Sequence, residues 1–194
     1  MRPKWDGLSE RVGEWQQTYL GRAIYAQDPR PDEIEIEDIA HALAHQCRFA
    51  GHVRAFYSVA EHCVRASYQA PPGLEKAALF HDAPEAYIGD LVRPLKATEF
   101  GKAYLVVEAK LAKAIGEKFG VVIDPLPAEI EEVDRRMLVT EKRDLLAPPP
   151  KEWTYAQGHN AKPYAVVIEP WGPIEAKMRF LTRYRELFTW PVSA

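Results

Sequence analysis

Two histidines and two aspartates in the middle of the chain have side chains that could hold a metal ion. His62 lies in YSVAEHC, the pair His81-Asp82 lies in FHDAPEAY, and Asp134 lies in EEVDRRML. Two imidazoles with two carboxylates suit a borderline divalent ion. Apolar neighbours predict that Asp134 faces inward, where it needs a cation, either a metal ion or an arginine from the adjacent pair at 135–136. The HD pair alone also fits a histidine at a helix end beside a surface aspartate.

Helices are the elements that must position these residues. Ser58 and Glu61 form an S-x-x-E capping box, which predicts a helix over about 59–68 that contains the first histidine. A second helix is expected over about 74–82 and is closed or kinked by Pro84, so that the HD pair lies at its end.

The remaining elements are predicted from hydrophobic spacing and from turn residues. Further helices are expected over 8–20, after an N-cap at Asp38, and over 98–119, 128–146 and 173–188. A short hairpin ending at 165–168 is expected in the irregular segment. The predicted fold class is all-α, a compact bundle in a single domain over 1–194, with a core at about 38–146, an irregular segment at 147–170 and a C-terminal helix at about 173–188.

The composition predicts a soluble, cytoplasmic protein. The chain has 194 residues, and 47% of them are hydrophobic, which is enough for a sizeable core. It carries 25 basic and 28 acidic residues, a net charge of −3 that argues against general nucleic-acid binding. No segment reaches the roughly 20 apolar residues that span a bilayer, the N-terminus has no signal-peptide core, and the two cysteines fit a reducing compartment. We therefore expect no membrane partner.

Three sequence blocks resemble the motifs of one enzyme superfamily. Together, RFAGHVRAFYSVAEH, HDAPEAYIGDLVRPLK and EVDRRML are similar to the H…HD…D signature of the HD-domain metal-dependent phosphohydrolases. Within that superfamily the chain looks most like the YfbR-like 5'-deoxynucleotidase branch and the related phage dATP triphosphohydrolases. The resemblance covers roughly residues 38–140 and implies a compact HD-domain helical bundle with a metal site between helices.

The resemblance also implies a metal site and a catalytic residue. One divalent metal ion (Co, Mn, Zn, Fe or Mg) would be held by His62, His81, Asp82 and Asp134. Glu85, three residues after the HD aspartate, matches the catalytic glutamate of the branch, and residues three apart share a helix face. It would orient or deprotonate a water molecule; the alternative is a solvated surface carboxylate.

Substrate contacts follow from the same resemblance. Arg48 and Phe49 match an Arg-Trp pair that holds phosphate and base, and phenylalanine in place of tryptophan leaves the base preference open. Asp90 matches a sugar contact, and Lys96 matches a lysine near the phosphates or is an ordinary exposed lysine. His52 either binds phosphate or is structural. No catalytic role is expected for the remaining histidines, which are His41 and His45, with packing or surface roles, and His159.

The expected reaction is metal-dependent hydrolysis of a phosphate ester of (deoxy)nucleotides, in which nucleoside 5'-monophosphates give nucleoside and phosphate. Two alternatives stay open: a dNTP triphosphohydrolase of the dATP type, and an inactive HD scaffold that senses a nucleotide or binds a partner. Extra cations at the mouth of the pocket would favour the triphosphate. The sequence has no glycine-rich P-loop, so the expected partner is a small nucleotide bound in another way, and the resemblance suggests a homo-oligomer.

Overall fold

The computed structural model describes residues 11–153 and 161–188, and this part of the chain is mostly helical. Its strands and α-helices are β1 (Gln16–Gln17), β2 (Ala23–Ile24), α1 (Ile36–His45), α2 (Val59–Gln69), α3 (Glu75–Phe80), α4 (Glu85–Ile88), α5 (Arg93–Lys96), α6 (Glu99–Phe119), α7 (Ala128–Leu145) and α8 (Pro173–Phe188). β1 and β2 form a small antiparallel pair. The prediction of a helical protein is confirmed; the pair of short strands was not part of that prediction.

The start of α2 follows the predicted capping signal in part. Ser58 Oγ accepts a hydrogen bond from the Glu61 backbone N–H at 3.1 Å, so Ser58 is the N-cap. The Glu61 carboxylate does not reach back to complete the box; it accepts hydrogen bonds from the Arg65 side chain and the Trp171 backbone N–H. The helix is therefore held by a local cap at its start and by a contact with the segment that leads into α8.

The prediction that Asp38 is an N-cap is wrong. The helix α1 begins at Ile36, with Glu35 at the N-cap position, and Asp38 lies in its first turn. The Asp38 side chain is buried, and its Oδ1 accepts a hydrogen bond from the Leu20 backbone N–H at 2.7 Å. The Asp38 carboxylate thus binds the distant segment that contains Leu20, and does not cap the helix as the sequence pattern predicted.

Three other predictions are corrected by the structure. No helix forms over 11–20, which contains β1 instead, while 1–10 lie outside the described residues. No strand forms over 161–168, and 154–160 lie outside the described residues as well. The helix α3 ends at Phe80, so the HD pair lies on the turn that leads into α4 rather than on the helix itself. His81 itself keeps helical backbone angles, with φ of −59° and ψ of −35°.

The helix α2 lies at the centre of the described fold and packs against α1, α3, α7 and α8. On the side of α3 that faces α8, an aromatic cluster is formed by Phe80, Phe119, Phe180, Tyr184 and Phe188. Among residues 11–153 and 161–188, none of the helices combines the length and the apolar composition needed to cross a membrane.

Candidate metal centre and catalytic cavity

The imidazoles of His62 and His81 meet with their Nε2 atoms 3.0 Å apart. His62 Nδ1 donates to Glu141 Oε1 at 2.6 Å, and His81 Nδ1 donates to the backbone carbonyl of Ala78 at 2.7 Å. Because each Nδ1 carries its proton, each neutral ring presents the lone pair of Nε2 to the other ring. Two lone pairs at this distance require a cation between them, either a proton or a metal ion.

The two predicted aspartate ligands lie around the same point. Asp82 Oδ2 is 3.3 Å from His81 Nε2 and 3.6 Å from His62 Nε2. Asp134 Oδ1 is 3.3 Å from His62 Nε2. The ligand atoms of His62, His81 and Asp82 all lie within 4.8 Å of one another, as a metal-binding group requires. The helix α2, the turn after α3 and the helix α7 thus bring the four residues together.

Glu141 is a buried partner of this cluster that sequence reasoning missed. Its carboxylate accepts hydrogen bonds from His62 Nδ1, from the Tyr57 hydroxyl at 3.0 Å and from Arg48 Nη2 at 3.2 Å. It lies on α7 two helical turns after Asp134, so both side chains share one face of that helix. A carboxylate behind a ligating histidine fixes the ring and its tautomer in metal sites. The spacing from Asp134 was the only signal for it in the sequence.

The charges in the cluster are coupled. Burial and the Arg48 guanidinium disfavour protonation of His62, but the carboxylates of Glu141 and Asp134 outweigh them and raise its pKa to about 9. Burial disfavours ionisation of Asp82 and Asp134, but the two imidazoles outweigh it and lower the pKa of both aspartates. The carboxylates are therefore ionised at neutral pH, as ligands for a cation must be.

A cavity of about 600 Å³ opens beside the cluster. Its lining includes the two predicted aspartate ligands, every residue predicted to bind substrate or to act in catalysis, and one further cation: Arg48, Phe49, Asp82, Glu85, Asp90, Arg93, Lys96 and Asp134. Phe49 reaches it from a backbone with φ of 56°, in the left-handed region that costs free energy for a side chain of this size. Strain of this kind persists where the surrounding structure holds a side chain in a particular place.

Glu85 is the first residue of α4 and is buried, with 3% of its surface exposed, so it is not a solvated surface carboxylate. Its Oε1 accepts a hydrogen bond from Lys96 Nζ at 3.2 Å, whereas Oε2 has no partner among the described residues. Burial and the charges of Asp82 and Asp90 raise the pKa of Glu85 well above its ordinary value, against the effect of Lys96. Glu85 thus holds a proton at higher pH than an exposed glutamate.

The other cavity residues are held by specific contacts. Arg48 donates to Glu141 and, through Nη1, to Asp82 at 3.3 Å. Lys96 bridges Glu85 and Glu108 rather than being an ordinary exposed lysine. The Asp90 backbone N–H donates to the Gln46 side chain, and burial raises the pKa of the Asp90 carboxyl.

Outside the cluster, the histidines that the structure describes do not line this cavity. His41 stacks on Tyr19 with ring centroids 3.7 Å apart and on His45 at 4.1 Å, in keeping with packing or surface roles. His52 is exposed and is not part of the cavity lining. His159 lies outside the described residues.

Comparison with known proteins identifies two relatives, while no protein-family model matches the chain. The uncharacterized protein RCAP_rcc00048 of Rhodobacter capsulatus is 41% identical over 126 residues, which is 60% of this chain and 63% of that protein. The uncharacterized protein YfdR of Escherichia coli K12 is 37% identical over 170 residues, which is 88% of this chain and 93% of YfdR. Since this second match runs through the segments that hold the cluster and spans nearly the whole of both proteins, the chain belongs to the YfdR family.

Proposed function

We propose that the chain is a metal-dependent phosphohydrolase that cleaves the phosphate ester of nucleoside 5'-monophosphates. The observation that carries this proposal is the pair of imidazoles whose Nε2 atoms meet at 3.0 Å between two ionised aspartates, beside a cavity that contains a buried glutamate. The resemblance of the sequence blocks to the HD-domain phosphohydrolases supplies the reaction class.

The donor set fits a divalent metal ion. His62 and His81 would supply Nε2, and Asp82 and Asp134 would supply one carboxylate oxygen each. When bound, such an ion activates water and polarises a phosphoryl oxygen. A proton on His62 would also satisfy the imidazole pair, so metal binding has to be measured directly.

Glu85 would handle the proton. Its Oε2 is buried at the cavity and has no hydrogen-bond partner among residues 11–153 and 161–188, while Oε1 is held by Lys96. With a raised pKa, the carboxyl can carry a proton on Oε2 and give it to the departing 5' oxygen of the nucleoside, then regain one from water. This role differs from the expectation that Glu85 orients or deprotonates the attacking water, because a carboxyl that holds a proton acts as an acid rather than as a base.

The rest of the cavity suits a nucleotide. Arg48 and Lys96 would offset the charge of the phosphate, Phe49 would contact the base, and Asp90 would accept a hydrogen bond from the sugar. A volume of about 600 Å³ lies within the range of pockets that hold small cofactors and substrates. The alternative of dATP hydrolysis with release of triphosphate is favoured by one observation, the third cation that Arg93 adds to the cavity.

Product analysis tests the proposal. The purified protein is stripped of metal, reloaded with Mn²⁺, Co²⁺, Zn²⁺, Fe²⁺ or Mg²⁺, and incubated with dAMP or dATP. We expect inorganic phosphate from dAMP; triphosphate from dATP without phosphate from dAMP would replace the monophosphatase proposal by the alternative. A protein that binds metal but turns over no nucleotide would favour the inactive scaffold.

Asp82→Ala tests the ligand assignment in the same assay. We expect this variant to lose both bound metal and activity, whereas Asp32→Ala, at an exposed position in the turn Pro31–Glu33, keeps both. Full metal content in Asp82→Ala would show that the assignment is wrong.

A further inference from the structure

The three cations of the cavity differ in how many of their hydrogen-bond donors are already engaged. Arg48 donates three hydrogen bonds to the carboxylates of Glu141 and Asp82, and 10% of its side chain is exposed. Lys96 donates two, and 26% of its side chain is exposed. Arg93 donates a single hydrogen bond within the described residues, to Asp134 Oδ2, and 44% of its side chain is exposed. Arg93 therefore keeps the largest share of its donors for a ligand in the cavity.

The position of Arg93 is set by its contact with Asp134. Asp134 Oδ1 lies 3.3 Å from His62 Nε2, while Oδ2 accepts from Arg93 Nη2. The guanidinium thus lies directly behind one of the proposed metal ligands, at the edge of the cavity. A phosphate that reaches the proposed metal centre from this cavity would come within hydrogen-bonding reach of the same guanidinium.

The chemistry of arginine suits this position. A guanidinium has five N–H donors in a rigid planar fork, which can hold a carboxylate on one side and phosphate oxygens on the other. A lysine ammonium is a compact point charge without that fork, so it cannot reproduce both contacts in the same geometry. The side chain is also anchored on the short helix α5, which packs against α6.

We propose that Arg93 is a substrate-binding residue that binds the phosphate of the nucleotide while it holds Asp134 in place. This inference rests on the proposed function, because it takes the phosphate to lie at the cluster. It assigns the direct contact with the phosphate to a residue outside the set that the sequence resemblance supplied. Arg48, by contrast, donates to Glu141 and Asp82 and would act on the phosphate through its charge.

Binding measurements in a protein that cannot turn over its ligand test this proposal. We use the Mn²⁺-loaded Glu85→Gln variant and measure the dissociation constants of dAMP and of deoxyadenosine by calorimetry. Charge-assisted hydrogen bonds contribute about 1.5–3 kcal/mol, so Arg93→Met should weaken dAMP binding by about 10–100-fold and leave deoxyadenosine binding unchanged. Arg93→Lys should give an intermediate loss for dAMP.

Arg135→Met is the matched control. Arg135 is next to Asp134 in the sequence, but its guanidinium pairs with Glu131 and Glu132 and does not line the cavity. It should bind dAMP like the parent, so that a general effect of lost positive charge is measured separately.

Each remaining result decides against the proposal in a distinct way. An unchanged dAMP affinity in Arg93→Met, or an equal loss for deoxyadenosine, would overturn the phosphate contact while the proposed function stands. A loss of dAMP affinity that accompanies loss of Mn²⁺, measured by metal analysis, would show that Arg93 acts only through Asp134. If the Glu85→Gln parent binds no dAMP, the proposed function itself falls, and this inference with it.

Discussion

Two buried regions meet at α3 and are stabilised in opposite ways. Phe80 enters the aromatic cluster, where its ring centroid lies 4.9 Å from Phe119 and 5.5 Å from Phe188. His81, the next residue, enters the polar cluster around His62. The aromatic cluster stabilises the fold by burying apolar surface, which tolerates small changes in geometry. In the polar cluster, each charge is buried at a desolvation cost and depends on its partners.

The two regions differ in what their interactions contribute to the stability of the fold. A buried network such as Arg48–Glu141–His62 adds little net stability relative to apolar side chains of the same volume. Its presence beside the cavity is therefore better explained by a function that needs fixed imidazoles and ionised carboxylates. Substitutions should separate the two regions: those in the polar cluster should change metal binding or rate, and those in the aromatic cluster should change the free energy of unfolding.

The largest effect is expected from Glu85→Gln. Loss of the proton carrier should lower kcat on dAMP by about 10²–10⁴-fold. Bound metal should stay at the wild-type level, because Glu85 is not one of the proposed ligands. The melting temperature should not fall, because the amide, like the protonated carboxyl that it replaces, buries no charge. Turnover kinetics, metal analysis and thermal melting measure the three quantities.

Glu108→Gln is the control for that experiment. Glu108 is the other carboxylate partner of Lys96, but it does not line the cavity. It should retain most of the rate. Near-normal turnover in Glu85→Gln, or an equal loss in both variants, would remove the proposed catalytic role of Glu85.

Phe180→Ala should have the next largest effect and should act on the other region. Phe180 is fully buried in the aromatic cluster, so its truncation should lower the free energy of unfolding by about 3–5 kcal/mol. The affinity of the folded protein for Mn²⁺ should stay unchanged. Urea denaturation measures the free energy of unfolding, and metal titration measures the affinity for Mn²⁺. Phe100→Ala is the control, because its side chain is 65% exposed and its removal should change stability little. A large loss of metal affinity in Phe180→Ala would show that the two regions are not independent.

The local parts of this fold could be predicted from the sequence. Ser58 caps α2 as expected, α8 has the predicted bounds, and α6 and α7 agree with the prediction within one residue at each end. These elements are encoded by caps, turn residues and hydrophobic spacing within a single segment. The N-cap at Asp38 was wrong because its carboxylate is used by the distant Leu20 N–H, which no local pattern reports.

In the candidate site, too, residues marked by a local motif were predicted, and residues defined by distant contacts were not. His62, the HD pair and Asp134 were found through the sequence motifs, and the structure brings them together. Glu141 and Arg93 were missed because their partners lie 79 and 41 residues away in the sequence. Each lies in a charged stretch that resembles an ordinary helix surface, so only the three-dimensional packing of α7 against α2 and its approach to α5 shows what each residue contacts.

Glu141→Gln tests whether the partner behind His62 matters for metal binding. The amide keeps the volume of the side chain but removes the negative charge of the carboxylate whose Oε1 accepts the hydrogen bond from His62 Nδ1–H. Loss of such partners lowers metal affinity by about 10–100-fold, and we expect this for Mn²⁺. Glu61→Gln is the control: Glu61 is also buried, but it pairs with Arg65 and the Trp171 backbone rather than with an imidazole. Equal Mn²⁺ affinities in the two variants would contradict a role for Glu141 in the metal site.

The smallest effect is expected from Ser58→Ala, which removes the N-cap of the helix that serves both regions. The lost hydrogen bond to the Glu61 N–H should lower the free energy of unfolding by about 1 kcal/mol, as should Thr98→Ala at the N-cap of α6. The two variants should differ in metal binding, because α2 carries His62 one turn after its cap, whereas the start of α6 contributes no ligand. We expect Mn²⁺ affinity to fall slightly in Ser58→Ala and not at all in Thr98→Ala. If Ser58→Ala weakened Mn²⁺ binding as much as Glu141→Gln, the orientation of His62 would depend on the start of the helix rather than on the buried carboxylate. The stability of α2 and metal binding in the polar cluster would then not be separate properties.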